Sequence, residues 1–344
     1  MTDPGPPQLS RPVAVADPVS AGYTELRRRI RQEGLMDRRP RYYAIKIAVL
    51  AVLLAGGWAA FFALGDSWYQ LLAAVYLAAV FGQVAFLGHE AGHRQIFRSR
   101  RGNDLVGLVY GNLMIGLSFR WWTGKHNRHH AYPNQEGKDP DIAIPVLAFS
   151  AEQAGGRRGV ARLLARYQAY LFFPMLLLEA VSMHVISIRA VLNGPLRRWR
   201  LEGLLLLGHT AGYLTAVFLV LSWPRALAFL AVQQGLFGLY LGCAFAPNHK
   251  GMPVLSEEDS LDFLRQQVLA SRNVSGGRLT ETMLGGLNYQ IEHHLFPAMP
   301  RPALRRCRTV VRAFGAQAGL NYCEKGLVSS YSEVLRHLHA AGRR

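Results

Sequence analysis

The stretch WYQLLAAVYLAAVFGQVAFLGHEAGH, residues 68–93, decides how this chain is read. Its first part, Trp68–Leu87, is apolar and uncharged over about the 20 residues that span a bilayer. The run passes directly into His89-Glu90-Ala91-Gly92-His93, and histidines four apart share one face of a helix. A membrane-length segment thus delivers two metal-type ligands to the bilayer surface. The same juxtaposition recurs outward along the chain. His126-Asn-Arg-His129-His130 and Gln290-Ile-Glu-His293-His294 form two further clusters, and His249 stands in Pro247-Asn-His-Lys at the end of another apolar run. Eight of the twelve histidines fall at these sites.

Half of the 344 residues are hydrophobic, although Lys and Arg number 39 against 22 Asp and Glu, a net charge of +17. The charge is segregated into the connecting segments, as expected when arginines gather in cytoplasmic loops. Such a basic face also attracts anionic headgroups, an acyl carrier's phosphate or an acidic redox protein. No basic motif stands apart from the apolar segments, so nucleic acid is not an expected partner. Cys243, Cys307 and Cys323 form no CxxC pair, and their odd number argues against a disulfide framework and fits a reducing, cytoplasm-facing side. Residues 1–20, rich in Pro, Asp and Ser, read as a disordered tail, not a signal peptide. Residues 21–43 read as a basic cytoplasmic helix.

Five segments approach membrane length: 47–64, 68–87, 167–188, 204–223 and 226–246. The first two are joined by Gly65-Asp66-Ser67 and the last two by Pro224-Arg225, so each pair reads as a helical hairpin. Arg27, Arg28, Arg29, Arg31, Arg38, Arg39 and Arg41 place the entry to the first hairpin in the cytoplasm, and Arg189, Arg197, Arg198 and Arg200 do the same for the second. A full crossing by 167–188 would leave His249 and the third cluster across about 30 Å of hydrocarbon from the first two. Gln168, Pro174, Glu179 and His184 also make that segment costly in lipid. It is therefore expected in the interface or re-entering it, as is 105–118. The fold expected is an all-α integral membrane protein: four transmembrane helices in two hairpins, interfacial helices, and a cytoplasmic helical cap carrying the histidine clusters. The domain is expected over 44–320, with 321–344 a C-terminal cytoplasmic helix and both termini cytoplasmic.

One zinc takes three or four protein ligands. Eight clustered histidines exceed that, and two metals with about four ligands each is the economical count. HEAGH also matches the HExxH pattern of a zinc metalloprotease with a glutamate base, but that site would leave His126, His129, His130, His293 and His294 without a purpose. His184 and His209, single within apolar runs, read as packing residues. His337 and His339 read as surface residues.

These residues resemble the membrane fatty-acid desaturases and their three histidine boxes. HEAGH resembles the first box, HNRHH the second and QIEHH the third. The surroundings Lys125-HNRHHA-Tyr132-Pro133-Asn134, Asp139-Pro140-Asp141 and Gly285-Gly286-Leu287-Asn288-Tyr289-QIEHH-Leu295-Phe296-Pro297 are similar as well. The resemblance spans roughly residues 40–315. It implies a four-helix membrane bundle and a di-iron centre with His89, His93, His126, His129, His130, His293 and His294 as ligands. His249 resembles the additional histidine that follows the last membrane helix. Gln290 stands where many members have histidine, could act as a ligand or through water, and resembles the front-end desaturases.

The activity implied is insertion of a cis double bond into a long-chain acyl group, with O2 as co-substrate. The acyl group would ride on CoA, a carrier protein or a phospholipid. The chain shows no His-Pro-Gly-Gly haem motif, so the electrons are expected from a separate protein such as a ferredoxin. A hydroxylase of alkane, carotenoid or sphingolipid type on the same scaffold is the alternative. Ligating histidines commonly donate their second N–H to a carboxylate or carbonyl. Asp139, Asp141, Glu90, Glu292, Asn134 and Asn288 are candidates for that supporting layer, Asp141 foremost. Trp121 and Trp122 are candidates for the mouth of an acyl tunnel, or alternatively for interfacial anchors.

Overall fold

The structure is a computed structural model and describes residues 18–194, 198–256, 258–259 and 261–343. Most of the expected tail, 1–17, lies outside the described residues, and 18–20 open the first helix.

The chain is predominantly helical. Helix α1 (Pro18–Gln32) is followed by α2 (Pro40–Leu64), α3 (Gln70–Gly92) and α4 (Arg100–Val106), which runs on as a π-helix over Gly107–Met114. Then come α5 (Phe119–Ala131), α6 (Ala151–Gly155), α7 (Gly159–Leu176), α8 (Glu179–Asn193), α9 (Trp199–Val220) and α10 (Trp223–His249). Short helices α11 (Phe263–Leu269), α12 (Arg278–Met283) and α13 (Gln290–Leu295) precede α14 (Leu304–Gln317) and α15 (Leu327–Gly342). Strands β1 (Asn273–Ser275) and β2 (Glu324–Gly326) pair in parallel.

Four helices, α2, α3, α9 and α10, are long and apolar enough to cross a membrane. They correspond to the four expected spans, but their ends differ. The expected 47–64 begins at Pro40, whose missing N–H suits a first helical turn. The expected 68–87 continues to Gly92, and 226–246 to His249. Hydropathy marks where the apolar side chains stop, whereas at the ends of α3 and α10 the backbone keeps its hydrogen bonds for another turn because protein covers it. Those extra turns carry His89 and His249. Along α2 and α9 many large apolar side chains face outward, Val52 at 70% and Leu219 at 81% exposure among them. A helix apolar all round is one surrounded by an apolar medium.

The segment expected in the interface, 167–188, is not one helix. It is the adjoining parts of α7 and α8, which meet at an angle of 82°; counted as one broken span, the pair would be a fifth candidate crossing. The elbow presses on α10 at Gly238, where a Cβ would stand 2.7 Å from the Ala180 nitrogen and the Leu176 carbonyl oxygen. The expected helix 21–43 is divided too. It stops at Gln32, turns at Gly34 with φ of +65°, and resumes at Pro40. Within the expected C-terminal helix, 324–326 form strand β2, because their backbone pairs with 273–275.

One core joins α2, α3 and α10 through Phe61, Phe81, Phe229 and Phe237. A second joins α1, α11, α13 and α14 through Leu26, Ile30, Val268, Ile291 and Val311. The third histidine cluster belongs to that second core, and helix α13 packs it against the ends of the long helices.

Candidate metal centre

Each cluster is delivered by a helix terminus or a short buried helix. His89 lies in the last turn of α3 and His93 caps that helix. Helix α5 starts where Ser118 Oγ accepts the Trp121 backbone N–H at 3.2 Å, and its far end carries His126, His129 and His130. His249 ends α10, and His293 and His294 lie on α13. Seven of these eight histidines are buried and His130 is half-buried.

The structure brings all eight together. Ligand atoms of His89, His93, His126 and His293 lie within 4.8 Å of one another, and those of His129, His249 and His294 form a second such group. His130 bridges the two: its Nε2 is 3.1 Å from that of His126, and its ring stacks on His294 at 4.1 Å. Gln290 reaches the second group, with its amide nitrogen 2.8 Å from His249 Nε2.

These donors fit metal ions. The Nε2 atoms of His93, His293 and His294 are buried with no hydrogen-bond partner among the described residues. Those of His89 and His126 face each other at 3.1 Å, and those of His129 and His249 at 3.3 Å. Lone pairs converging in a dry site are costly unless a cation takes them. Burial pushes His126, His130, His293 and His294 well below the ordinary imidazole value, and His93 down to about 3. The rings are therefore neutral, the form that binds metal. Four nitrogens in one group and three in the other, with His130 between, suit a pair of first-row ions.

The second group is held by partners that fix the tautomer of each ring. His129 donates its Nδ1–H to Asp139, 3.0 Å from each carboxylate oxygen. His249 donates to the Ala270 carbonyl at 2.9 Å, and His294 to Gln267 Oε1 at 2.8 Å. With every Nδ1 occupied, each Nε2 is left as the atom carrying the lone pair.

Among the expected supporting residues, Asp139 and not Asp141 makes the close contact. Asp141 Oδ2 is 3.5 Å from His129 Nδ1, while its Oδ1 pairs with Lys125 at 2.5 Å. The turn decides between them: the backbone N–H groups of Asn134 and Asp141 both donate to the Asp139 carboxylate, at 2.7 and 2.8 Å, and aim it at the ring. Burial opposes charge on both acids. His129 outweighs it for Asp139, and Lys125, His129 and Lys250 do so for Asp141, leaving both below the usual carboxylate range. Asn134, at φ +52°, also ties the second group together by donating from its amide to the His249 carbonyl at 3.0 Å.

The other expected supports touch no histidine. Glu90 is buried against Lys46, 2.7 Å from each oxygen, with Arg301 at 3.7 Å. A glutamate so held is an ion-pair partner, unlike the free base that the HExxH reading needs. Glu292 accepts from Asn273 and from Tyr322, both at 2.8 Å, and burial pushes it up to about 7. It ties α13 to β1. Asn288 is buried with neither amide atom hydrogen-bonded among the described residues. Trp122 stacks on His126 at 4.4 Å and walls the first group. Gly92 makes room for it, since a Cβ there would stand 2.8 Å from the indole. Trp121 precedes it on α5 and is half-buried.

Two contributors have no counterpart among the sequence expectations. Gln267, fully buried on α11, accepts from His294 and donates to the His130 carbonyl at 3.1 Å. Arg272, also fully buried, clamps the end of α10 by donating to the Pro247 and Lys250 carbonyls, each at 2.8 Å. The histidines set aside stay outside the groups. His184 bonds Gly116 and Gln234, His209 bonds the Leu113 carbonyl, and His339 packs edge-on to Tyr170. All three cysteines are free.

Comparison with known proteins gives the same reading. The profile of the family described as fatty acid desaturase matches residues 66–326. The chain is 32% identical over 332 residues to an acyl-lipid (9-3)-desaturase of Physcomitrium patens, covering 92% of this chain and 62% of that protein, less than two thirds of its length. It is 32% identical over 318 residues to a Delta(5) fatty acid desaturase of Caenorhabditis elegans, covering 88% and 70%. A Delta(6)-fatty-acid desaturase of the same animal is 29% identical over 332 residues, covering 92% and 74%. The matched region holds every histidine of the two metal-ready groups together with α3, α9 and α10, three of the helices apolar enough for a membrane, and the chain belongs to the fatty acid desaturase family.

Proposed function

We propose that this chain inserts a cis double bond near the carboxyl end of a long-chain acyl group, using two iron ions held by its eight clustered histidines. The observation that carries the reading is the convergence of buried imidazoles into two adjacent groups, in which the Nε2 atoms of His93, His293 and His294 have no partner among the described residues. His89, His93, His126 and His293 would hold one ion and His129, His249 and His294 the other, with His130 between the groups and Gln290 beside His249. Front-end placement is supported by Gln290 in the third box and by relatives named for positions 5, 6 and 8.

Breaking an unactivated methylene C–H needs an oxidant beyond any side chain, and the iron pair supplies it from O2 and two electrons when bound. Across the reaction two hydrogens leave adjacent carbons and, with the two donated electrons and two protons from solvent, O2 becomes two waters. The protein's own part is geometric. Asp139, Gln267 and the Ala270 carbonyl keep three rings in the ligating tautomer, so the donors are in place before substrate arrives. Trp122 closes one wall and excludes water, and together with Trp121 it lines the approach of the acyl chain.

We further propose that α2–α3 and α9–α10 are two membrane hairpins entering from the cytoplasm, with the α7–α8 elbow at the interface, the remaining helices forming a cytoplasmic cap, and residues 44–320 making up the membrane desaturase domain. The arginines preceding each pair support that orientation. A separate acidic redox protein such as a ferredoxin supplies electrons at the basic face, and the acyl group arrives on CoA, a carrier protein or a phospholipid.

The test is the fatty-acid profile of a host membrane expressing the chain, by gas chromatography–mass spectrometry with double-bond derivatisation, beside a His126→Ala control. A new unsaturated acid only with the intact chain, its bond on the carboxyl side of an existing one, is the expected result. A new hydroxy acid would instead assign the alternative, a hydroxylase.

A further inference from the structure

A cavity of about 580 Å3 opens between α6, α7 and α15, and none of its lining residues belongs to the histidine groups. Arg162, Arg166, Tyr167, Tyr170, His339 and Arg343 dominate its wall, and no aspartate or glutamate lines it. None of the three guanidinium groups has a carboxylate or hydrogen-bond partner among the described residues; Arg166 lies only over the Tyr167 ring, at 5.9 Å. Other arginines that lie beside a carboxylate pair with it, as in Arg28–Glu25, Arg305–Glu281 and Arg308–Glu324, whereas this cavity gathers three around no carboxylate. Three exposed positive charges at one cavity, contributed by two segments far apart in sequence, give it a positive field that favours an anion. Planar guanidinium forks beside tyrosine hydroxyls suit phosphate in particular.

The surroundings identify the source of that phosphate. On α7, Val160, Leu163, Tyr167 and Tyr170 are 73%, 57%, 45% and 70% exposed. Their spacing of three, four and three forms one apolar stripe along the helix. Tyr167 and Tyr170 belong both to the stripe and to the cavity wall, so the basic cavity opens at the stripe's edge. An apolar stripe bordered by arginines and tyrosines is how a helix lies in a bilayer surface.

We propose that this cavity binds the phosphate of an anionic phospholipid whose acyl chains lie along the α7 stripe, fixing the α7–α15 contact to the membrane. The inference rests on the reading that α7 lies at the bilayer surface, and not on the chemistry at the histidines.

The test uses the full chain in nanodiscs of phosphatidylcholine, with or without phosphatidylglycerol. Thermal unfolding is followed in the discs, and retained lipid is counted by native mass spectrometry after mild extraction. Wild type should retain phosphatidylglycerol and melt higher in its presence. Arg162→Gln/Arg166→Gln, two exposed positions, should weaken retention at least about tenfold. Arg278→Gln/Arg312→Gln, of equal charge loss on the surface of α12 and α14, should behave as wild type. Equal retention by both double variants would overturn the proposal, as would equal loss. Inorganic phosphate raising the melting temperature in phosphatidylcholine discs as much as phosphatidylglycerol does would reassign the cavity to the free anion. Wild type that enters discs but shows no lipid preference defeats this proposal alone; wild type that fails to enter them defeats the membrane reading as well.

Discussion

The Nδ1–H of His294 donates to Oε1 of Gln267 at 2.8 Å, and the other end of the same amide donates to the His130 carbonyl at 3.1 Å. The amide's orientation is thereby fixed, because only its nitrogen can serve the carbonyl. The orientation in turn fixes the tautomer of His294. One buried glutamine on α11 thus joins the second histidine box to the third and leaves His294 Nε2 bare.

Gln267→Leu should therefore lower metal affinity by about 10–100-fold and leave the His130 carbonyl unpaired, with a stability loss of about 1–3 kcal/mol. Gln267→Glu keeps an acceptor for His294 and should recover most of the metal. Iron per chain by plasma mass spectrometry, together with thermal unfolding, checks both. Full iron loading in Gln267→Leu would show that His294 is held by other contacts.

Asp139 and Asp141 are separated by one proline, yet only Asp139 grips His129. Asp139→Asn should reduce iron content by about 10–100-fold, since one carbonyl oxygen replaces two anionic ones. Asp141→Asn breaks the Lys125 pair, which is about one-third exposed, and loses only a longer 3.5 Å approach to His129, so it should cost iron less than about threefold. Iron titration of the two variants decides it, and the reverse order would make Asp141 the partner in solution.

How much of this was legible in the chain depends on what each signal measures. Hydropathy located four long helices because their side chains meet an apolar medium. It missed the turns at Pro40–Lys46, Gly88–Gly92 and Pro247–His249: the first is a largely exposed turn bearing Arg41 and Lys46, and in the other two protein instead of lipid covers the backbone. Histidine spacing named the members of the two groups apart from His249, which was marked by its place at the end of an apolar run. It could not choose between Asp139 and Asp141, because that choice is made by backbone N–H groups aimed by a left-handed Asn134. Gln267 and Arg272 carried no pattern: Phe-Leu-Arg-Gln-Gln-Val-Leu reads as an ordinary half-buried helix, and their partners lie on α5, α10 and α13. Glu90 and Glu292, adjacent in sequence to ligands, face away from them, into Lys46 and Tyr322.

If the eight histidines hold two ions, alanine at His126 or His293 should remove activity and lower iron content. His337, half-buried on α15, belongs to neither group. His337→Ala should leave both properties near wild type. Iron per chain and product by gas chromatography are the measurements. An equal loss of iron in His337→Ala would contradict the assignment.

The Gly92–Trp122 contact makes the sharpest steric prediction. Any side chain at Gly92 enters the indole, with its Cβ 2.8 Å from Trp122 Cζ3. The indole is itself pinned by stacking on His126 at 4.4 Å. Gly92→Ala must therefore push the ring into His126 or move the end of α3. Overpacking of this kind costs about 1–3 kcal/mol, and a ligand displaced by about 1 Å can cost about 10²-fold in rate. Phenylalanine lacks the second ring that the new methyl would strike. Gly92→Ala/Trp122→Phe should thus recover both iron and activity relative to Gly92→Ala alone. If the second change fails to rescue, the damage lies in the α3 backbone and Trp122 is not the wall of the first histidine group.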